Sequence, residues 1–251
     1  MSEFKYLSCA QHDAKMPKRS VQVTREQSGF SLIEIALVLI IVGLALGGII
    51  SALGPQLENK RINDTQKSLE EVKDALIGFA IANNGRLPRP ATSFTNGAEN
   101  PVLCATEVAC TGVIPWVDLG VSKLDSWGKI IRYSVTAAFA NPGATTATNG
   151  TKTVQTRDAV GVLTTEVNLV PVIIFSSGKL SHGRTDGGVL IPDQSTTNVD
   201  EDANNISSLV FIRRALNLEP TVIGGEFDDV VIWLPKTTFV NRLAQAGKPL
   251  P

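Results

Sequence analysis

The chain has 251 residues, of which 43% are hydrophobic and 19% charged, and its formal net charge is −1. This length allows one large domain or two small ones. The near-neutral balance gives no reason to expect a nucleic-acid partner, and the basic pair Arg213 and Arg214 is too small to establish one. Partners must therefore be inferred from local motifs.

The first predicted element is an apolar segment over residues 30–53, in which Ser31, Glu34 and Ser51 are the polar side chains. About 20 apolar residues cross the hydrocarbon core of a bilayer as a helix. Residues 1–29 are hydrophilic and carry several basic side chains, which favours a cytoplasmic amino terminus. We therefore predict that residues 30–53 form the membrane-crossing half of a helix and that the following residues are exported.

The helix is predicted to continue beyond Pro55 as an amphipathic half over residues 54–85. Its apolar side chains recur at three- and four-residue steps, the period of a one-sided helix: Ile62, Leu69, Val72, Leu76 and Phe79. Gly85 is a suitable stop signal, so one long helix is expected over residues 30–84.

The stretch Gly29-Phe30-Ser31-Leu32-Ile33-Glu34, followed by an apolar helix, resembles the prepilin cleavage and methylation motif of type IV pilins and type II secretion pseudopilins. The resemblance implies that residues 1–29 are a cytoplasmic leader, which prepilin peptidase removes after Gly29. It also implies methylation of the new amine of Phe30. Such subunits are held in the bacterial inner membrane, and an assembly platform then adds them to a periplasmic or cell-surface filament of pilin or pseudopilin subunits.

Glu34 is the one carboxylate in the apolar segment, and an ionised group in that position usually has a partner or a function. The resemblance implies that it pairs with the mature amino-terminal charge of a neighbouring subunit during assembly. The alternative is a side chain that simply reaches the lipid headgroups from the first turn of the helix.

Cleavage would also explain the odd number of cysteines. Cys9 would leave with the leader, and Cys104 and Cys110 would remain as a close pair in an exported domain. A disulfide between them is then expected in an oxidising compartment, whereas in a reduced protein they would be two unrelated small side chains.

Residues 86–251 are predicted to form the exported globular domain, because short apolar runs alternate there with Gly, Asn, Pro and Thr clusters. The predicted strands begin at Lys129, Val170, Ser208 and Asp229, and a terminal helix is predicted from Lys236. We expect an α+β, pilin-like fold in which the long helix packs on one small antiparallel sheet. The segment of residues 141–153 is predicted to be a surface loop.

Two further motifs extend the resemblance: "LDSWGKIIRY", residues 124–133, and "FDDVVIWLP", residues 227–235. In the first, Asp125 is suited to local backbone hydrogen bonds, Trp127 to an apolar contact and Gly128 to a tight turn. These are structural roles.

The resemblance also raises calcium, which the major pseudopilin binds in a loop before its last strand. Carboxylates that could supply oxygen ligands are Asp186, Asp193, Asp200 and Asp202. Their spacing fits no known calcium-loop pattern. A solvated acidic loop over residues 198–205 is the alternative, and no other cofactor is expected.

No catalytic residue is predicted, so the chain is not expected to be an enzyme. His182 is the sole histidine after cleavage, and Ser176, Ser177 and Ser181 lie near it in sequence. Neighbours in sequence do not make a catalytic triad, however, and a nucleophile-elbow motif is absent. A membrane-tethered receptor, adhesin or enzyme outside any filament remains the alternative class.

Overall fold

The computed structural model describes residues 29–251, except for the side chains of residues 45–53. The described chain is α+β. The helices are α1 Leu32–Ala82, α2 Trp116–Leu119, α3 Ala137–Ala140, α4 Val199–Ile206 and α5 Lys236–Gln245. The strands are β1 Thr111–Val113, β2 Arg132–Val135, β3 Lys152–Arg157, β4 Leu163–Val170, β5 Val172–Ser176, β6 Val210–Ile212 and β7 Val230–Leu234.

The strands form two sheets. The first sheet has the order β1-β2-β5-β7, and all of its pairs are antiparallel. The second sheet has the order β4-β3-β6, in which β3 pairs antiparallel with β4 but parallel with β6. The excursion through β3 and β4 separates β2 from β5 in sequence, so the first sheet is built from distant parts of the chain.

One face of the first sheet is covered by the second half of α1. Leu69, Val72 and Leu76 are almost completely buried and belong to the same core as Tyr133 and Ile174 of the sheet. Burial of a Leu or Val side chain stabilises a fold by about 1.5–3 kcal/mol. The three- and four-residue spacing of these positions therefore places them on the face of α1 that packs on the first sheet.

The helix ends as the sequence predicts, at a glycine. The N–H of Gly85 donates to the carbonyl of Ala80 at 2.8 Å, and Asn84 and Gly85 both have positive φ angles, 55° and 80°. A residue in the left-handed conformation after a helix is a common stop, and glycine adopts it without steric cost.

The opposite face of the first sheet packs on the second sheet. Phe175 of β5 and Phe211 of β6 have ring centroids 5.4 Å apart, and Val154 and Val231 belong to the same cluster. Since the first sheet is covered on both faces, all five residues of β5 are buried. This explains why its sequence is a continuous apolar run rather than an alternating one.

The predicted strands all contain an observed strand, but each prediction is too long. The strand predicted from Lys129 starts only at Arg132, and the one predicted from Val170 is divided at Pro171 between β4 and β5. The predicted terminal helix corresponds to α5. The loop predicted over residues 141–153 ends earlier, because β3 begins at Lys152, and α4 occupies most of the predicted acidic loop.

Asp125 and Gly128 have the structural roles that the sequence predicts for the turn of residues 125–129. Asp125 Oδ1 accepts hydrogen bonds from the backbone N–H groups of Trp127 and Lys129, each at 2.9 Å. Gly128 has a φ of 78°. The indole of Trp127 donates to Glu58 Oε1 at 3.1 Å, which ties the turn to α1.

The predicted α+β class with a small antiparallel sheet is confirmed, but the predicted membrane-crossing half of the long helix is wrong. A membrane-crossing helix needs about 20 apolar residues in succession, and no helix within the described side chains is long and apolar enough to meet that requirement. A second sheet, in which β3 pairs antiparallel with β4 and parallel with β6, is present in addition and was not predicted. The predicted leader up to residue 28, with Cys9, lies outside the described residues, as do the side chains of residues 45–53.

Candidate functional site

The start of α1 carries apolar side chains on every face, and all of the large ones from Phe30 to Leu44 are exposed. The exposed fractions reach 77% for Phe30 and 90% for Leu32. The others in this segment are Ile33, Ile35, Leu37, Val38, Leu39, Ile40, Ile41, Val42 and Leu44. We call residues 30–44 the apolar segment. A helix that is apolar all round is stable in a protein only when other apolar groups surround it.

Glu34 has a local role that the sequence analysis missed. Its backbone N–H donates to Ser31 Oγ at 3.2 Å, and Ser31 O accepts the N–H groups of Glu34 and Ile35. Ser-x-x-Glu at the start of a helix is the sequence of a capping box, and an acidic side chain in the first turn also interacts favourably with the helix dipole. The signal was present in the sequence, directly before the apolar run.

Cys104 and Cys110 are joined in a disulfide, with their Cα atoms 5.3 Å apart. Both are buried in the core that α1 covers. Between them, Glu107 Oε2 lies 2.5 Å from Nζ of Lys152, a lysine side chain with no exposed surface. The small loop therefore supplies the counter-charge of a buried ammonium group.

The carboxylates predicted as calcium ligands do not form one group. Asp186 is paired with Lys123 at 2.7 Å. Asp200 is buried, where it binds the guanidinium of Arg157 at 2.6 Å and lies 3.1 Å from Nε of Arg214. These cations already neutralise both carboxylates.

Asp193 and Asp202 lie together beside His182. Nε2 of His182 is 2.9 Å from Asp202 Oδ1 and 3.8 Å from Asp193 Oδ1. His182 is buried and has a φ of 61°, so it is not a solvated side chain of a loop. These three side chains could offer one ligand atom each to a metal ion.

The serines near His182 in sequence are directed elsewhere. Ser176 Oγ donates to Asp125 Oδ2 at 2.5 Å, and Ser181 Oγ accepts the N–H of Gln194 at 3.1 Å. In residues 29–251, His182 forms no hydrogen bond to a serine hydroxyl; its partner is Asp202. The arrangement of these side chains therefore gives no support to the alternative that the chain is an enzyme.

A second acidic group, which the sequence analysis missed, is entirely buried. Glu201 of α4 and the neighbouring residues Asp228 and Asp229 have ligand atoms within 4.8 Å of one another. Lys129 is buried beside them, and its ammonium donates to the carbonyls of Ser177 at 3.1 Å and Ser181 at 3.0 Å. We call Lys129, Glu201, Asp228 and Asp229 the buried charged cluster.

The buried charged cluster joins three parts of the domain. Asp228 Oδ2 accepts the N–H groups of Lys179 and Leu180, at 2.9 and 2.8 Å, while Lys129 binds carbonyls of the same loop. Glu201 Oε1 accepts the N–H of Asp228 at 2.6 Å. The loop of residues 177–182, helix α4 and the start of β7 are thus held by one set of charges.

Burial alters the ionisation of this cluster. Loss of hydration raises the pKa of Glu201 to about 7 and raises the pKa values of Asp228 and Asp229 as well. Burial lowers the pKa of Lys129, against the attraction of the carboxylates. Asp228 Oδ1 is buried without an N–H or hydroxyl donor in the described part of the chain.

The helical position of Glu201 was the signal for this cluster. Asp200, Glu201 and Asn204 recur at one- and three-residue steps and are the buried side chains of α4. The acidic composition led instead to the prediction of a solvated loop, which is wrong because Arg157 and Arg214 neutralise Asp200 in the interior.

Calcium prefers six to eight oxygen ligands. Each acidic group brings together three residues that could each offer a ligand atom, and the ammonium of Lys129 supplies positive charge near the buried group. Binding of calcium to either group stays a prediction.

Comparison of the chain with protein-family models, with curated proteins and with solved structures finds no match.

Proposed function

We propose that this chain is a structural subunit, minor or specialised, of a bacterial filament of the type IV pilus or type II secretion pseudopilus kind. The observation that carries the proposal is the apolar segment, whose large side chains are all exposed on the start of α1. The Gly29-Phe30 pair at its start resembles a prepilin cleavage motif. It therefore supports removal of the leader by prepilin peptidase before assembly.

The apolar segment supports assembly because its large side chains are exposed in the part of the chain that the structure describes. Packing of the same segment from several copies would bury them. Between helices in an apolar environment, close packing and a few polar contacts decide specificity. A bundle of such segments is therefore the proposed interior of the filament.

Glu34 is the polar group in that bundle. Removal of residues 1–29 by prepilin peptidase would create a charged amine at Phe30, and the amine of one subunit would neutralise Glu34 of its neighbour. A buried carboxylate without such a partner is costly. The partners proposed are thus other pilin or pseudopilin subunits, the peptidase and the inner-membrane assembly platform, first at the inner membrane and then in a periplasmic or cell-surface filament.

Charge and helix capping at Glu34 can be separated by the choice of substitution. Glu34→Gln keeps a capping residue but removes the charge, whereas Ser31→Ala removes the cap but keeps the charge. We expect Glu34→Gln to be processed normally and to be absent from sheared filaments, while Ser31→Ala is incorporated. Amino-terminal mass spectrometry of both variants, in hosts with and without a prepilin peptidase, checks that the mature chain starts at methylated Phe30.

Normal incorporation of Glu34→Gln would exclude the charge pairing. An uncleaved chain in both hosts would exclude the maturation pathway, and with it the filament.

A further inference from the structure

Two arginines, Arg132 and Arg184, line a cavity of about 300 Å³ beside the first sheet. Arg132 of β2 is the register partner of Phe175 in β5, so both side chains lie on the face that the second sheet covers at β5. At β1 and β2 the cavity borders this face instead. We call it the arginine pocket, and its volume is sufficient for a small-molecule ligand.

The rest of the lining is largely apolar. The large apolar side chains in it are Phe94, Val113, Ile130 and Leu190. Val113 and Ile130 are buried, whereas Leu190 is 57% exposed. A pocket with an apolar wall and a few polar groups is typical of sites for small organic molecules.

Backbone and aromatic contacts hold both guanidinium groups in place. Nη1 of Arg132 donates to the backbone and side-chain oxygens of Asn205, at 2.9 and 3.0 Å, and Cζ lies 4.8 Å from the ring centroid of Phe175. Nη1 of Arg184 donates to a carbonyl of its own loop at 2.9 Å, and Cζ lies 4.0 Å from the ring centroid of Phe94. A guanidinium that is already fixed loses little freedom when it binds a ligand.

Neither arginine of the pocket forms a salt bridge within residues 29–251. Residues 86–251 contain eight arginines, and those paired with a carboxylate are Arg86, Arg89, Arg157, Arg213, Arg214 and Arg242. The remaining two are Arg132 and Arg184. Asp229 attracts Arg132, but this carboxyl is buried and its pKa is raised well above the ordinary value, so it opposes the positive charge weakly.

The unpaired donors of these two arginines are accessible. Nε and Nη2 of Arg132 and of Arg184 have no hydrogen-bond partner in the described part of the chain, and they are not among its fully buried unpartnered atoms. Burial lowers the pKa of Arg132, and the charge of Arg184 lowers it further. An oxyanion between the two groups would accept hydrogen bonds from both and would relieve this repulsion.

We propose that the arginine pocket binds a small organic anion, whose carboxylate or phosphate group accepts hydrogen bonds from Arg132 and Arg184 and whose apolar part contacts Ile130. Carboxylate and phosphate are the groups that match the planar fork of a guanidinium. The apolar lining favours an organic anion over inorganic phosphate alone. This inference is independent of the proposed filament function, because it concerns a ligand of the globular domain in a single copy.

Nuclear magnetic resonance of the arginine side chains tests the pocket on the full, detergent-solubilised chain. The probes are butanoate, inorganic phosphate and the neutral compound butanamide. We expect saturable shifts of the Nε–H resonances of Arg132 and Arg184 with at least one of the two anions and none with butanamide. Saturation by butanoate identifies a carboxylate ligand, and saturation by phosphate alone identifies a phosphate ligand. Absence of saturation with both anions, or an equal response to butanamide, would overturn the proposal.

Arg184→Gln removes one guanidinium of the pocket, and Arg213→Gln is the matched control. Both arginines lie over an aromatic ring, but Arg213 is outside the arginine pocket and is paired with Glu166 at 2.9 Å. We expect Arg184→Gln to weaken anion binding at least about tenfold and Arg213→Gln to leave it unchanged. Equal weakening by the two variants would show a general effect of net charge and would overturn the assignment.

Arg184→Lys keeps the proposal testable if Arg184→Gln does not fold. Lysine retains the positive charge but lacks the planar fork of donors. We expect this variant to unfold at the same temperature as the natural chain and to bind the anion more weakly. Unchanged affinity in Arg184→Lys would contradict recognition by the guanidinium.

Discussion

Two regions of the molecule invert the usual distribution of side chains. The apolar segment, residues 30–44, exposes its large hydrophobic side chains. The buried charged cluster places Lys129, Glu201, Asp228 and Asp229 in the interior. Both arrangements are unfavourable unless a partner is present.

The difference between the two regions lies in where that partner is found. The charges of the cluster are neutralised within the chain, by one another, by backbone groups and by bound protons. Among the described residues, the large side chains of the apolar segment are instead exposed. The cluster should therefore control the stability of the monomer, and the apolar segment should control its association.

The largest expected effect comes from removing the cation of the cluster. Lys129→Met leaves the carbonyls of Ser177 and Ser181 without their donor and the carboxylates without a counter-charge, so we expect a loss of about 3–5 kcal/mol in unfolding free energy. Lys179→Met is the matched control: this lysine is half-exposed, 3.8 Å from Glu58, and the change should be within about 0.5 kcal/mol. Chemical denaturation measures both. Equal stability of the two variants would contradict a structural role for the cluster.

The next effect is a dependence of stability on pH. Because the pKa of Glu201 is raised to about 7 in the folded chain, the folded state binds more protons than the unfolded state between about pH 4.5 and pH 7. The contribution of Glu201 to stability is therefore fully present below this range and is lost as the pH rises through it, by roughly 3 kcal/mol.

Glu201→Gln removes the titrating group of this prediction and keeps a neutral side chain of the same size. Its unfolding free energy should vary less over the same pH range than that of the natural chain. A steeper dependence in the variant would show that another group is responsible.

The smallest effect on folding is expected in the apolar segment. Leu39→Ala should leave the unfolding free energy of the globular domain unchanged within about 0.5 kcal/mol, because this side chain is 65% exposed. Leu76→Ala, on the same helix, is fully buried and should cost about 2–5 kcal/mol. Filament yield, in contrast, should fall for Leu39→Ala. If both variants unfold alike, the two parts of α1 do not differ as proposed.

The sequence predicts the apolar parts of the fold best. The helical period of Leu69, Val72 and Leu76 indicated a one-sided helix, and the runs containing Ile174 and Ile232 indicated strands. The excess length of the predicted strands has a physical reason, since apolar and β-branched residues also occur in the bends that lead into a strand. The parallel pairing of β3 with β6 could not be predicted from the local sequence pattern, because it joins segments that only the tertiary fold brings together.

The candidate sites likewise differ in whether local sequence is enough to predict them. The motif at Gly29 and Glu34 is local and could be recognised directly. The burial of Asp200 depends on Arg157 and Arg214, and that of Glu201 on Lys129, which are not their neighbours in sequence. An acidic stretch has the same composition whether it is solvated or neutralised in the interior, so composition alone suggested the wrong environment.

The order of strands in the first sheet has a consequence for the time course of folding. Because β7 follows β5 only after β6, α4 and a long connection, its pairing closes a large loop, and such non-local contacts form slowly. Until β7 arrives, β5 is itself an unprotected edge with an apolar sequence, which makes the incomplete domain prone to aggregation. Since β7 also follows the other strands in the chain, the edge of β5 stays exposed during synthesis until residues 230–234 have been made.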